Sequence, residues 1–515
     1  MSTMQANNRI IYNTIVLYAK IVICMAISLY TVPLVLQALG QSDYGLFALI
    51  GGIIAMLAFM NGAMTVSTQR YMSVTIGERN NAKLVQVYNL SIGLHVAIGI
   101  VVVLLCEALM PLLFRFVLNI LPEQQYDARL LFHTMIATMF LQIVIVPFDA
   151  TINAYEDLTF FSVAGVIEAV LKLILVLALP CFSHNRLVIY AAAITAITLL
   201  ILIIKYAYCA VRYKNLRLSL AAYGNKSLLA EMASFTGWNT LSSFALMARN
   251  QGIAIIFNHF LGTVINAAYG IATQVNGVLG YFSETIKKGI NPQLMESEGL
   301  KEHQRLVSLT FAMTKYSLLI LCFITLPLYI EMPYIISLWI GDAPAYTVEF
   351  TRIILILSLL TLASTGLMSA VQSSGKVKWY TIVICAVLLS TIAFAYVGLH
   401  FGLSPVTILY IACAIEVVAF FVRLWFARKL NGIPAWDYVR KPVLPVLLLA
   451  AAVGLVVSGC VRLAEPSFLR LIITGLLSVA LFLPLSYFII LTKDEQAYFR
   501  KIVGSITKRW KAASS

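Results

Sequence analysis

The stretch Ser234–His259, SFTGWNTLSSFALMARNQGIAIIFNH, decides how the rest of the chain is organised. It is long enough to cross a bilayer, which takes about 20 predominantly apolar residues. At its centre it carries Arg249, Asn250 and Gln251, although a charge at membrane depth costs between about 2.5 and 10 kcal/mol or more. The stretch therefore predicts a membrane helix whose polar side faces a hydrated or anion-binding cavity. The alternative is an arginine that is paired inside a helix bundle for structural reasons alone.

Composition extends this interpretation to the whole chain. Hydrophobic residues make up 61% of the 515 residues and charged residues 11%, against about 25% charged residues in soluble proteins. We predict an all-α polytopic membrane protein with about fourteen transmembrane helices. The predicted spans lie near residues 11–38, 45–68, 89–114, 130–152, 159–181, 187–209, 233–258, 266–286, 308–330, 350–371, 379–399, 406–426, 443–461 and 468–491.

The distribution of basic residues predicts the orientation of these spans. An even number of spans places both termini on the same side of the membrane. With the N-terminus inside, most of the 36 lysines and arginines fall on inner segments, as the positive-inside rule requires. The formal net charge of +14 then reflects anchoring against anionic lipid, and nucleic acid is not needed to explain it. The outer segments hold only Arg115, Arg129, Arg186, Arg352, Arg462 and Arg470.

A repeated pair of turns divides the chain into two related halves. Leu39-Gly40 followed by Tyr44-Gly45 closes span one and opens span two, and Leu261-Gly262 followed by Tyr269-Gly270 does the same for spans seven and eight. Six spans per copy return the chain to its starting side, so the copies form a parallel repeat. We predict a six-helix bundle over residues 1–210, a cytoplasmic linker over 211–232, a second six-helix bundle over 233–427, two extra helices over 428–491 and a basic cytoplasmic tail over 492–515.

Enzyme signatures are missing from the sequence. The chain contains no GxxxxGK[ST], HExxH or GxSxG motif, and its eight cysteines and six histidines form no metal-type cluster. We therefore predict that the protein is not an enzyme and has neither a cofactor nor a metal. A membrane-embedded glycan polymerase or ligase is a further alternative, but it would be expected to carry a large outer loop, and the predicted outer loops here are short.

What remains is a set of polar residues inside apolar spans. The basic residues of the spans, Lys20, Lys172, Arg249 and Lys315, are spread over both predicted bundles. A central cavity lined with cations from both bundles would suit an anionic ligand such as a diphosphate, because arginine binds phosphate oxygens in a bidentate fork and lysine acts as a point charge. The predicted substrate-binding residues are Arg249, Lys20, Lys172, Asn250, Gln251, Asn61, Arg70 and Lys315.

The acidic residues of the spans leave two alternatives open. Glu168 and Lys172 lie four residues apart on one helical face, with the acid N-terminal to the base. The pair is either a self-neutralising structural bridge or an ion-coupling or gating element. Asp149 is the second predicted coupling or gating residue, and a helix-packing hydrogen-bond acceptor is its alternative, as it is for Glu416.

A series of short motifs, in order along nearly the whole chain, resembles the polysaccharide-unit or Wzx-type flippases of the multidrug/oligosaccharidyl-lipid/polysaccharide exporter superfamily, in the branch of lipopolysaccharide or O-antigen biosynthesis proteins. The motifs are Leu39-Gly40-x-x-Asp43-Tyr44-Gly45, Asn61-Gly62-Ala63-Met64, Ser67-Thr68-Gln69-Arg70-Tyr71, Pro147-Phe148-x5-Ala154-x-Glu156, Arg249-Asn250-Gln251-Gly252, Asn291-Pro292-Gln293, Leu338-Trp339-Ile340-Gly341-x-x-Pro344-x-Tyr346 and Gln372-x-x-Gly375-Lys376.

The resemblance implies both a mechanism and a location. It implies that two bundles move a polyprenyl-diphosphate-linked oligosaccharide across the bacterial cytoplasmic membrane by alternating access, with both termini cytoplasmic. It implies that cavity-lining cations meet the diphosphate, which on this chain points to Arg249, Lys20, Lys172, Arg70 and Lys315. Membrane lipids, sodium or protons, and a downstream polysaccharide polymerase are the candidate partners. Asp149 stands where relatives are expected to carry asparagine.

Two rival transport functions use the same fold. A cation-coupled exporter of small drugs would need a cavity lined by acids, which the excess of lysine and arginine in these spans argues against. A flippase for the peptidoglycan lipid precursor shares the physics of the first hypothesis. Loss of a peptidoglycan carrier should stop growth, whereas loss of an O-antigen carrier usually should not.

Overall fold

The computed structural model describes residues 3–55, 57, 59–117, 122–182, 185–219, 225–341, 343–461 and 465–497. The longer elements within these residues are all α-helices, and no strand occurs among them. In chain order they are α1 Thr3–Ala55, α2 Phe59–Gly77, α3 Asn81–Leu112, α4 Gln125–Ala154, α5 Leu158–Ala178, α6 Arg186–Arg212, α7 Lys226–Gly299, α8 His303–Ile340, α9 Thr347–Leu362, α10 Thr365–Ser374, α11 Lys378–His400, α12 Pro405–Asn431, α13 Ala435–Tyr438, α14 Leu444–Val461 and α15 Phe468–Leu485.

The helices have the lengths and surfaces of membrane spans. Ten helices of the described chain are long and apolar enough to cross a bilayer. The four other predicted spans fall in α1 with α2 and in α7, which has 74 residues against the roughly 20 that one crossing needs. Large apolar side chains face outward, for example Leu455 with 74% of its surface exposed. The predicted all-α, multi-pass membrane architecture is confirmed.

Two glycines explain how α1 and α7 can each pass from one span into the next. Gly40 has φ 81° and ψ 167° inside α1, and Gly262 has φ 80° and ψ −176° inside α7. This region of backbone space is essentially restricted to glycine. The two residues occupy equivalent places in the repeated turns found in the sequence, so both copies of the repeat bend with the same local geometry.

Contacts divide the chain into two compact units that are interleaved in sequence. The first, called unit 1, consists of Met1–Ala248, Thr285–Leu306 and Ser369–Ala386. The second, called unit 2, consists of Arg249–Glu284, Val307–Met368 and Val387–Ser515. The units are defined by contacts and not by the repeat, so the boundaries at 1–210 and 233–427 stay a prediction. Residues 498–515, most of the predicted tail, lie outside the described residues.

Unit 1 has an apolar core built chiefly from α1, α3, α4 and α6, in which Leu131, Phe132 and Ile143 are fully buried. The ends of α7 also belong to this unit. There the backbones approach closely, since a Cβ atom on Gly77 would lie 2.4 Å from the carbonyl oxygen of Glu296, and one on Gly299 would lie 2.1 Å from that of Val74. Only glycine permits this packing of α2 against the end of α7.

Unit 2 contains the rest of α7 together with α8 and the helices that follow. Its core joins Phe257 and Ala268 of α7 to Phe350 of α9 and Leu409 of α12. One of the two predicted extra helices, α15, is attached to α8 through charge. Arg470 donates to both carboxylate oxygens of fully buried Glu331, at 2.9 to 3.1 Å, and Thr474 donates to the same group at 2.7 Å.

Alanine at Gly40 or at Gly262 should lower the thermal denaturation midpoint of the purified protein. A Cβ atom added at either site would have no other atom within 4 Å, so the expected cost, about 1–3 kcal/mol, comes from the backbone conformation alone. Gly277→Ala is the matched control, because that site is equally open and has no positive φ. There alanine should be neutral or stabilising by up to about 1 kcal/mol. Equal losses at all three positions would contradict the assignment.

Candidate functional site

Three lysines of unit 1 converge on one aromatic ring. The Nζ atoms of Lys20, Lys288 and Lys205 lie 4.1, 5.1 and 5.7 Å from the centroid of Phe161. Each distance is within the range of a cation–π contact, about 6 Å. These residues come from α1, α7, α6 and α5, so four helices build what we call the lysine cluster, defined as Lys20, Lys205, Lys288 and Phe161.

Acids compensate only part of this positive charge. Lys205 Nζ lies 2.7 Å from Asp149 Oδ1, and Lys172 Nζ donates to Glu168 Oε1 at 2.6 Å. Among the residues that the structure describes, neither Lys20 nor Lys288 forms an ion pair. Like charges held this close repel by an amount on the order of a few kcal/mol at the effective dielectric of a protein. A bound anion would relieve that repulsion.

Helix α5 supplies one face for the site. Phe161, Gly165, Glu168 and Lys172 follow one another at spacings of four, three and four residues, which places them on one side of the helix. A Cβ atom on Gly165 would lie 2.4 Å from Cε of Lys20. The missing side chain at Gly165 therefore lets Lys20 lie across α5 and reach Phe161.

The structure brings four of the predicted site residues into this region. Lys20 belongs to the lysine cluster itself, and Asp149 pairs with its member Lys205. Glu168 pairs with Lys172 and also interacts electrostatically with Lys205 and Lys20. Both predicted coupling acids are therefore engaged by lysines, which is the arrangement expected of structural bridges. Their coupling or gating role stays a prediction.

The structure places Arg249 in unit 2, in a buried ion triad. Arg249 Nη1 and Arg423 Nη1 each donate to the carboxylate of Glu416 at 2.6 Å. Arg249 is 5% exposed, Glu416 is fully buried, and Arg423 also donates to Ser364 Oγ at 3.2 Å. These contacts are those of the structural alternative stated for Arg249. Its substrate-binding role stays a prediction.

Asn250 and Gln251, the two neighbours of Arg249, are exposed. The side-chain oxygen of Asn250 accepts a hydrogen bond from Arg249 Nε at 3.3 Å, and its backbone carbonyl accepts one from the Tyr269 hydroxyl at 3.4 Å. The Asn250 amide therefore helps to orient Arg249. The predicted contact of these two residues with substrate stays a prediction.

Arg70 and Lys315 are each held by contacts of their own. Arg70 Nε donates to the backbone carbonyl of Ser373 at 3.0 Å, and its guanidinium lies 4.9 Å from the centroid of the Phe235 ring. Lys315 donates to both carboxylate oxygens of Glu495, at 2.5 and 2.7 Å. Neither contact joins these residues to the lysine cluster, and their predicted role toward substrate stays a prediction.

Asn61 lies at a separate cavity inside unit 1. This cavity has a volume of about 310 Å³ and is lined from α1, α2, α4 and α6. The side-chain oxygen Oδ1 of Asn61 is buried and has no hydrogen-bond partner among the described residues. Thr138 and Gln142 of α4 line the same cavity.

Among the described residues, no group of three or more histidine, cysteine, aspartate or glutamate residues is placed to hold a metal ion.

Sequence reasoning missed two cations of the lysine cluster. Lys205 lies four residues before the end of a predicted span and is counted with the inner loop in the predicted topology. Its position inside the apolar run could have indicated that it lies within the membrane. Lys288 lies beyond the predicted end of span eight. Only the packing of the far end of α7 within unit 1 brings it to Phe161.

The fold is that of solved transporters of the MOP superfamily. An outward-facing multidrug resistance MATE family transporter matches with a TM-score of 0.72 at 13% identity, over 84% of this chain and 99% of that chain. A MOP superfamily transporter from Pyrococcus furiosus, described as having a binding pocket of reversed polarity that suggests a different function, matches with 0.71 at 14% identity, over 84% and 98%. MATE in a bent conformation gives 0.73 at 14% identity, over 84% and 98%.

No protein-family profile and no curated protein matches the chain. The structural likeness, at these identities, concerns the fold. It confirms the predicted all-α fold of membrane-spanning helices, and it concerns neither the role nor the substrate.

Glu416→Gln should destabilise the protein far more than Arg249→Met does. The glutamine variant leaves two buried guanidinium groups without a counter-charge, at an expected cost of about 3–5 kcal/mol. The methionine variant leaves Glu416 paired with Arg423, so its cost should be less than half of that. Thermal denaturation of purified variants measures the difference. The double variant should be more stable than additivity predicts, and strict additivity would argue against the triad.

The contact between Lys315 and Glu495 should give the protein a stability that depends on pH. Burial by itself would raise the pKa of Glu495, but hydrogen bonds from Lys315 and Tyr316 outweigh it and hold that pKa below its ordinary value. Such a carboxyl stabilises the fold above its unfolded pKa, about 4.3, and the stabilisation is lost as the pH falls through the folded pKa.

The difference in denaturation midpoint between wild type and Glu495→Gln should therefore be full at neutral pH and should vanish in acid. Glu123→Gln is the control, since Glu123 is exposed and the structure gives it no ion pair within the described residues. A difference in denaturation midpoint that stayed unchanged as the pH was lowered from 7 to well below the unfolded pKa of about 4.3 would refute the assignment.

Proposed function

We propose that the protein is a flippase that moves polyprenyl-diphosphate-linked oligosaccharide units across the bacterial cytoplasmic membrane by alternating access, for the synthesis of surface polysaccharide or O-antigen. The observation that carries the proposal is the lysine cluster, in which neither Lys20 nor Lys288 has an acid within salt-bridge distance among the described residues. Ammonium groups of this kind bind phosphate oxygens through charge-assisted hydrogen bonds.

The surroundings of the cluster suit an anion that must leave water. Lys205 is buried, and Lys20 and Lys288 are half-buried, so the charges are only weakly screened by solvent. A diphosphate carries enough negative charge to neutralise both unpaired lysines. The aliphatic stems of the lysines and the ring of Phe161 contribute apolar surface next to the charges. A lipid-linked diphosphate combines these two chemical characters.

The comparisons support transport as the class of function. The MATE and MOP superfamily proteins that share this fold are transporters. One of them is described as having a binding pocket of reversed polarity, with a different function suggested for it. The net positive charge of the lysine cluster itself favours an anionic substrate here. The motifs that run along the sequence favour the branch that handles lipid-linked glycans. We place both termini in the cytoplasm on the strength of the positive-inside rule.

A cation-coupled exporter of small molecules is the second candidate, because one structural neighbour is a multidrug resistance transporter. Coupling to protons or sodium would need an acid that is free to bind them. The two acids next to the lysine cluster, Asp149 and Glu168, are each paired with a lysine. A flippase for the peptidoglycan lipid precursor would use the same cations and differs in being required for growth.

Neutralising Lys20 should strongly reduce transport while the protein still folds. We would measure outward movement of a fluorescent polyprenyl-diphosphate oligosaccharide in proteoliposomes. Lys20→Met keeps the length of the side chain and removes its charge-assisted hydrogen bond, worth about 1.5–3 kcal/mol, so transport should fall about tenfold or more. Lys20→Arg should restore a substantial part of it, and Lys288→Met should resemble Lys20→Met.

Lys83→Met is the matched control, because Lys83 is a half-buried lysine that is paired with Glu78 and lies outside the cluster. Arg249→Ala tests the separate proposal for the arginine. Normal transport by Lys20→Met and Lys288→Met would remove the lysine cluster from the substrate path. Transport of small cations by the wild type, with none of the glycolipid under any ion gradient, would favour the exporter.

A further inference from the structure

The cavity at Asn61 has the size and lining of a ligand site. Its volume of about 310 Å³ lies at the lower end of the range for small-molecule pockets, about 300–1,000 Å³. Most of its lining is apolar, including Phe47, Ile54 and Met139, and a few polar groups converge on it. That combination of apolar walls with a small number of placed hydrogen-bonding groups is typical of binding pockets.

The polar groups of the cavity are neutral. They are the amides of Asn61 and Gln142 and the hydroxyl of Thr138, which forms a hydrogen bond of 2.7 Å with the hydroxyl of Thr195. A buried amide oxygen without a partner, such as Oδ1 of Asn61, costs about 1–3 kcal/mol. Amides both donate and accept hydrogen bonds. The cavity therefore suits a ligand that carries several neutral hydroxyl groups.

An aromatic ring in the cavity also favours a ligand that contains a sugar ring. Phe47 lines the cavity and packs against Tyr190, with the ring centroids 5.2 Å apart. Aromatic faces carry a negative potential and so attract the polarised C–H groups of a sugar ring. Apolar ligands would leave the Asn61 oxygen unsatisfied, and the cavity is much larger than a sodium ion.

The cavity and the lysine cluster are connected along one helix. Gln142 and Asp149, the partner of Lys205, lie seven residues apart on α4. Residues at this spacing share a helical face and are separated by about 10 Å along the axis. Thr138 and Met135 continue the same face. A sugar joined to a diphosphate at the cluster would reach this distance within the first sugars of the chain.

We propose that the cavity of Asn61, Thr138, Gln142 and Phe47 binds a sugar ring of the lipid-linked glycan and so helps to set which oligosaccharide is accepted. The proposal rests on the proposed function, because it places the diphosphate at the lysine cluster. Hydrogen bonds from the neutral groups of the cavity then discriminate among sugars. The lysine cluster binds the diphosphate, which all these lipid-linked glycans share.

Binding to the full-length protein in nanodiscs tests the proposal. The probes are undecaprenyl diphosphate and the same lipid carrying glucose, galactose or N-acetylglucosamine. Wild type should bind at least one glycosylated form about tenfold more tightly than the bare lipid, as two or so additional hydrogen bonds predict. Equal affinity for all four lipids would overturn the proposal.

Two variants remove the neutral hydrogen bonds at nearly constant volume. Asn61→Leu and Gln142→Met should abolish the preference for the glycosylated lipid and leave the affinity for undecaprenyl diphosphate within roughly twofold. Gln125→Met is the matched control, since Gln125 lies on the same helix and is exposed. Thr138→Val is a milder variant in case the first two fail to fold. Equal weakening for bare and glycosylated lipids would contradict a sugar site.

Free sugars separate failure of the subsite from failure of the proposed function. Saturation-transfer NMR with the methyl glycosides of the three sugars should give a signal in wild type that Asn61→Leu loses. If none of the four lipids binds but this signal is present, the lipid-diphosphate function is refuted and the sugar site stands. If the lipids bind and no glycoside or glycolipid preference is found, the sugar site is refuted. A thermal shift caused by sodium and lost in Asn61→Leu, without sugar binding, would also refute it.

Discussion

The cost of removing a charge from water governs the arrangement of this molecule. A buried ion needs a partner of opposite charge and further hydrogen bonds. In unit 2 this requirement is met repeatedly, by Glu416 between Arg249 and Arg423 and by Glu331 with Arg470. In unit 1, Lys205 and Lys172 each have an acid. Half-buried Lys20 and Lys288, which share the ring of Phe161, have no acid within salt-bridge distance among the described residues. This incomplete compensation of positive charge makes the lysine cluster a candidate anion site.

Backbone geometry places those charges. The non-helical backbone at Gly40 and Gly262 lets α1 and α7 bend, while the residues on either side of each glycine remain helical. The close approach at Gly77 and Gly299 packs the end of α7 within unit 1, near enough for Lys288 to reach Phe161. Arg70 adds a single hydrogen bond there to the carbonyl of Ser373. These contacts depend on backbone approach and on shape.

Helix α4 joins the two kinds of recognition that the proposed function needs. One face of α4 presents Thr138 and Gln142 to a neutral cavity and Asp149 to the lysines. Charge attraction gives affinity for any lipid diphosphate and discriminates little among glycans. A hydrogen bond to the buried Oδ1 of Asn61 discriminates more strongly, because a ligand that lacks a matching donor leaves that oxygen unpaired. Residues of one helix can thus contribute to recognition of both the diphosphate, which is shared by these substrates, and the glycan, which varies.

Much of this architecture could be predicted from the sequence. Apolar runs of spanning length determined the helices, because the bilayer imposes their length and hydrophobicity residue by residue. The repeated Leu-Gly turns located the two bends for the same local reason. Lys20, Lys172, Asp149 and Glu168 were identifiable because charge is rare inside apolar segments.

Tertiary structure alone decided which charges meet. Pairing depends on the rotation and packing of helices that are distant in sequence. The sequence therefore could not predict that Arg249 pairs with Glu416, which lies 167 residues away. Nor could the sequence predict that the packing of the far end of α7 places Lys288 next to Phe161. The sequence by itself determined where the chain is helical and identified some of the charges that lie inside the spans. Only the folded chain determined which of those charges are compensated and which are left for a ligand, because compensation is a property of distances between helices.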